Sequence, residues 1–268
     1  MNFAFSEEQE ELRKSVRRFL DEKSPVLEVR RLMETDSGFD PAVWKQMGEQ
    51  LGLQGLAIPE EFGGSGYGYV ELGIVLEEMG RSLICAPFFS TVALAANLLL
   101  ASGDKAAQTA HLPGIAAGET IATVAFTEAN GKWTEDGIAT IATKSGDTWK
   151  ISGEKMFVID GQNAGLMLVA ATTDAGTSIF AVDAKGEGVT VTGLPTMDQT
   201  RKQAKVAFAF APGTLVGEDG KGWGYLVKML DLAAVALSAE QVGGQMRRAS
   251  MSCSPSIPGI LRSSSSRS

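Results

Sequence analysis

VAFTEANGKW at residues 124–133 and KISGEKMFVIDG at residues 150–161 are two apolar runs broken by Asn130-Gly131 and Asp160-Gly161. Apolar runs that meet such dipeptides predict short strands entering tight turns. The first run sets Thr127 and Glu128 directly after Val124, Ala125 and Phe126. The second sets Phe157 among Met156, Val158 and Ile159. An aromatic and a hydroxyl presented together at strand ends suit a flat, polar-edged ring such as a flavin. A half-buried antiparallel sheet with ordinary core aromatics would carry the same pattern, so both readings stand on this stretch alone.

Around these runs, Thr, Val, Ile and Ala alternate in short segments from residue 119 to about 216, punctuated by Gly146-Asp147 and Gly186–Gly188. That texture predicts an antiparallel β domain over 119–217, a sandwich or barrel. Before it the period is helical. Ser6 with Gln9 makes a capping box ahead of Leu12, Val16, Phe19 and Leu20. Asp40-Pro41 opens a helix with Val43, Trp44, Met47 and Leu51 on its apolar side, and Gly52 closes it. Residues 52–68, GLQGLAIPEEFGGSGYG, are glycine-rich but have neither dinucleotide-fold nor P-loop spacing, which favours a shaped loop between helices. Helices resume over 70–81 and over 88–101, the latter apolar almost all round and therefore buried, and one more helix or broken helix follows over 104–118. An all-α N-terminal domain thus covers 1–118.

Past the β domain, residues 218–245 predict one helix with Trp223, Leu226, Val227, Leu230, Val235 and Val242 on its apolar side. Residues 246–268 are rich in Ser and Arg, lack acidic residues and contain two prolines, so a disordered tail is expected. Among 268 residues, a net charge of -8 argues against nucleic-acid and anionic-membrane partners. Cys85 and Cys253 match no metal spacing, and His111 is the single histidine, so neither a zinc site nor a histidine-based triad is expected. The N-terminus lacks a signal-peptide pattern and no apolar run is long enough to span a bilayer, which points to the cytoplasm.

These motifs together resemble the acyl-CoA dehydrogenase family. SEEQEELRKSVRRFL is similar to the family's opening helix, and GLQGLAIPEEFGGSG to its glycine-rich turn. VAFTEANG resembles a segment usually reading apolar-x-apolar-Thr-Glu-Pro-Gly, and ISGEKMFVIDG a strand usually reading Gly-x-Lys-x-Trp-Ile-Thr-Asn-Gly. GWGYLVKMLDLAAVALSAEQVGG resembles the start of the family's third, helical domain. The resemblance implies an α+β fold: N-terminal helices, a middle β domain, then only the first helix of a C-terminal bundle. It implies FAD as cofactor, an acyl-CoA substrate oxidised between its α and β carbons, and an electron-transfer flavoprotein as acceptor. Homo- or hetero-oligomers with other subunits of the family are implied too. By position, Val124, Phe126, Thr127, Phe157, Val158 and Ile159 are the flavin-contacting candidates, with Phe157 where a tryptophan usually packs on the ring.

Several positions depart from the pattern. Ile159 replaces a threonine, removing a side-chain hydrogen bond beside the ring. Trp133 stands in the place of a serine and is the candidate on the substrate side. Ala234 stands where many members have arginine. The family's catalytic base belongs to the part of the bundle that this sequence does not continue into, so no catalytic residue is assigned. Family-like sequence halts at residues 242–244, which leads to the expectation of a truncation or a shifted reading frame. Three functions follow: a flavin-dependent acyl-CoA dehydrogenase, a non-catalytic subunit of such an enzyme, or an inactive fragment.

Overall fold

The computed structural model describes residues 4–146 and 148–252. Among the described residues, seven α-helices and seven strands follow one another as helices, sheet, helix. Helix α1 (Glu7–Lys23) starts with the Ser6–Gln9 capping box, each side chain accepting a backbone N–H of the other. Helix α2 (Val26–Met33) is a short element that the sequence reading passed over. Helix α3 (Pro41–Glu49) is capped by Asp40, and Gly52 adopts the left-handed conformation that follows it. The glycine-rich stretch folds into two short 3-10 turns, Leu53–Gly55 and Glu60–Phe62, which lead to α4 (Tyr69–Ser82).

The all-round apolar run is buried as expected, but it is not a uniform α-helix. Phe89–Ala96 winds as a π-helix and continues into α5 (Asn97–Ser102). The looser winding places Thr91 where its hydroxyl bonds the backbone of Ala122 in both directions, donating to the carbonyl and accepting the N–H. Helix α6 (Lys105–Ala116) starts at Asp104, whose carboxylate caps Ala106 and Ala107.

The strands are β1 (Ala122–Ala125), β2 (Ile141–Ser145), β3 (Thr148–Ile159), β4 (Leu166–Thr173), β5 (Gly176–Asp183), β6 (Val189–Leu194) and β7 (Gln203–Val216). Strands β4, β2, β3, β7 and β5 form a ring that β5 closes on β4, with β1 added beside β4 and β6 beside β7. The structure departs from a purely antiparallel sheet in one respect: β1 and β2 run parallel to β4. A parallel pair needs a long crossover rather than a tight turn, and the β2–β3 hairpin supplies it between β1 and β4.

Among the described residues there are three apolar clusters, of which a small one joins Val29 and Leu32 of α2 to Cys85 and the other two involve the sheet. Ala125, Ile151, Val158, Met167, Val169, Phe180 and Phe208 belong to one cluster, inside the barrel. The other joins helices to the outer face of the sheet, with Val124, Phe126, Leu166, Leu168 and Ile179 packed in the same cluster as Leu76, Val92, Leu98 and Leu226. Helix α7 (Gly222–Ser252) lies against α4, α5 and the π-helix. It continues to Ser252, past residue 245 where a tail was expected; residues 253–268 of that stretch lie outside the described residues. No helix among the described residues is long and apolar enough to cross a membrane.

Candidate functional site

The two runs that open the sequence reading come together where β1 ends beside β3. The Met156 N–H donates to the Thr127 carbonyl at 2.9 Å, and the Thr123 hydroxyl donates to the Ile159 carbonyl at 2.6 Å. These bonds set Phe126 and Thr127 alongside Phe157, Val158 and Ile159.

The side chains divide by direction. Val158 is buried in the barrel interior and Val124 in the helix–sheet cluster, so at an outer surface both offer backbone only. Phe126 and Thr127 are buried just beneath that surface, and Ile159 packs partly against the helix–sheet cluster. Phe157 is different: 51% exposed, with a positive φ of 57°. An aromatic residue in the left-handed region is strained by about 1–2 kcal/mol, and here its ring gains little burial in return. Trp133 is also exposed, and it meets Phe126 edge-on with ring centroids 5.1 Å apart. Phe157 and Trp133, with Phe126 and Thr127 beneath, make an aromatic ledge on the outside of the barrel.

Polar groups bordering the ledge are already engaged. Glu128 accepts the Ala139 and Thr140 N–H groups and the Lys155 ammonium, the last at 2.6 Å. Burial works to raise Glu128, but the bond from Lys155 and the N–H of Thr140 prevail and hold its carboxyl below the usual range. Burial also draws Lys155 down to about 8, with Glu128 opposing. Asp160, directly after the candidate strand segment, is buried with a positive φ of 53°, and accepts the Ser90 hydroxyl at 2.7 Å. Its carboxyl is pushed up to about 6 by burial.

Sequence reading passed over Lys155, which stands at the lysine of the Gly-x-Lys motif, and it read Asp160 only as a turn residue. A lysine in an alternating strand normally points to solvent, and only the close approach of Glu128 reveals this one as buried. A cleft of about 960 Å3 lies away from the ledge, between α6 and the barrel, and is lined by His111, Asp183 and Lys185 among others.

A flat ring fits the exposed aromatic surface at Phe157 with the Thr127 side chain beside it; the carbonyls of Phe126, Thr127 and Ile159 are already taken by Lys155, Met156 and Thr123. The serine of the family pattern is replaced by Trp133, and the neighbouring Lys132 is paired with Asp136 at 2.7 Å, so these residues add no ready phosphate contact.

Comparison with known proteins bears on this geometry. Residues 6–119 match the family description "Acyl-CoA dehydrogenase, N-terminal domain". Acyl-CoA dehydrogenase IpdE2 of Mycolicibacterium smegmatis is 33% identical over 245 residues, covering 90% of this chain and 62% of its own length. The chain belongs to the acyl-CoA dehydrogenase family. Among solved structures, the ChsE4-ChsE5 complex from Mycobacterium tuberculosis is 26% identical with a TM-score of 0.83, covering 96% of this chain and 70% of that one. A Tcur3481-Tcur3483 steroid ACAD variant is 29% identical with a TM-score of 0.78, covering 88% and 63%. The chain therefore spans about two thirds or less of the length of several relatives it matches, and 62% of IpdE2.

Proposed function

We propose that this chain is a flavoprotein of α,β-dehydrogenation, holding FAD on the ledge against an acyl-CoA thioester, with an electron-transfer flavoprotein as acceptor. The observation that carries this reading is Phe157, an exposed aromatic held in a strained backbone conformation beside Thr127. Backbone strain of this kind clusters at ligand-holding sites. Exposed Phe210, with a φ of 54°, shares it, so it is the place of Phe157 beside Thr127 and close to the Phe126–Trp133 pair that directs the reading to the ledge. When bound, the flavin supplies the hydride acceptor. The protein's own part is to stack the ring on Phe157, orient its polar edge with Thr127, and keep water from that face.

Proton removal from the α carbon needs a carboxylate within reach. Glu128 is bound by an ammonium and two N–H groups, and Asp160 is buried against Ser90, so neither is placed to accept that proton. This favours a second reading, a cofactor-holding subunit of a hetero-oligomeric acyl-CoA dehydrogenase in the cytoplasm. The ChsE4-ChsE5 complex is a relative of two different subunits, which agrees with it.

Expressing the chain alone and together with neighbouring-gene subunits of the family separates the readings. Flavin absorbance that acyl-CoA bleaches in the single chain supports self-sufficient catalysis, and bleaching seen only in the mixture supports the subunit reading. Colourless protein in every mixture would remove both.

A further inference from the structure

Lys155 lies wholly inside the protein, its Nζ 2.6 Å from Glu128 Oε1 and 3.5 Å from the Phe126 carbonyl oxygen. Glu128 also accepts the Thr140 N–H on the same Oε1 at 2.9 Å and the Ala139 N–H on Oε2 at 3.0 Å. Three pieces of chain therefore meet at one buried ion pair. They are the segment after β1 carrying Phe126 and Thr127, the approach to β2 at Ala139 and Thr140, and β3 two residues before Phe157. The loop over 129–137, which bears Trp133, leaves from Glu128 and returns to the N–H groups that Glu128 binds.

Such a pair contributes little net stability, because taking both charges out of water offsets their attraction. Its geometry does more. The hydrogen bonds fix distances among the three segments, and a looser arrangement would strand an unpaired charge in the interior.

We propose that Glu128 and Lys155 are positioning residues for the ledge: the pair sets Thr127, Trp133 and Phe157 relative to one another and so governs how tightly a flavin is held. The proposal rests on the flavoprotein reading above. Lys155 touches no part of the exposed ledge and acts through the backbone of Phe126 and through Glu128.

The test uses the full chain, FAD as the probe, fluorescence quenching for affinity, and thermal unfolding of the flavin-free protein. Lys155→Met and Glu128→Gln each leave one partner without its mate and lower both stability and affinity. The double substitution, Glu128→Gln with Lys155→Met, buries no charge, although the amide can accept only on its one oxygen where the carboxylate accepted the Ala139 and Thr140 N–H groups on two. It is expected to recover most of the unfolding temperature lost in the single variants while FAD binding stays weaker by at least about tenfold, a difference of roughly 1.4 kcal/mol. Hydrogen exchange should report increased exchange over 126–140 in the double variant, with the rest of the barrel unchanged. A merely structural pair moves stability and affinity together, so FAD affinity within about twofold of the unsubstituted chain once stability has returned overturns the proposal. Failure of the unsubstituted chain to take up FAD, seen before any variant is read, overturns the flavoprotein reading and the proposal with it.

Discussion

At the scale of the residue, Asp160 carries the sharpest consequence. It stands where the family pattern has asparagine, and its carboxylate is buried against the Ser90 hydroxyl. Ser90 also donates toward the Pro87 carbonyl at 3.1 Å, yet a hydroxyl has one proton for two acceptors. Above its titration the carboxylate accepts the Ser90 proton, and only when protonated can Asp160 donate to Ser90 and free that hydroxyl's own proton for Pro87. Burial raises the carboxyl to about 6, against the pull of Ser90 and Arg201. A carboxyl that holds its proton more tightly folded than unfolded contributes stability at low pH, and that contribution is lost as the pH rises from about 4 to about 6. Asp160→Asn keeps the left-handed backbone and supplies the donor permanently. The variant is expected to gain roughly 1–3 kcal/mol at pH 7 and to lose this part of the pH dependence. Denaturant titrations at pH 4 and pH 7 check it, and an equal pH response in both proteins would contradict it. The dipeptide Asp160-Gly161 was legible as a turn; its burial was not, because Ser90 lies seventy residues away in sequence.

At the scale of the element, the pairing of α4 with α7 shows what periodicity leaves out. A Cβ on Gly80 would meet the Glu240 carbonyl oxygen at 1.9 Å, and one on Gly243 the Glu77 carbonyl oxygen at 1.7 Å. The helices therefore cross with backbone nearly touching backbone, which only glycine permits. Gly80→Ala and Gly243→Ala are each expected to cost more than about 2 kcal/mol by forcing the helices apart, although alanine is the better helix former. Gly224, also on α7, has nothing within 4 Å of such a Cβ, and Gly224→Ala should be neutral or stabilising by about 0.5 kcal/mol. Chemical denaturation of the three variants measures the contrast, and an unchanged midpoint for Gly80→Ala would show that the crossing yields easily. Helices α1, α3, α4 and α6 could be read from caps and apolar spacing. The π-winding of Phe89–Ala96 could not, since a run apolar almost all round gives no phase and the Thr91 bonds to β1 join groups far apart in sequence.

At the scale of the whole molecule, the helices and the barrel share one apolar cluster that runs from Leu76 and Val92 through Val124 and Leu168 to Leu226. Residues 1–118 and 119–217 remain useful divisions of the sequence, but a common core predicts that they unfold together. The helical far-ultraviolet signal and the near-ultraviolet signal of the Trp149–Phe180 pair, whose ring centroids lie 5.3 Å apart, should give coincident denaturation curves. Two separated transitions would show that the barrel stands alone.

By itself the sequence determined the order of the elements, because hydrophobic period, capping residues and turn dipeptides act over a few residues and are written locally. It also determined the family likeness, and it marked the ends of β1 and β3 as the stretch where a flavin is proposed to lie. Only the tertiary structure decided that β1 runs parallel to β4, that Lys155 is buried against Glu128 and that Phe157 stays exposed under strain. Each of these depends on groups distant along the chain meeting in space, where desolvation and hydrogen-bond geometry, rather than local pattern, set the outcome.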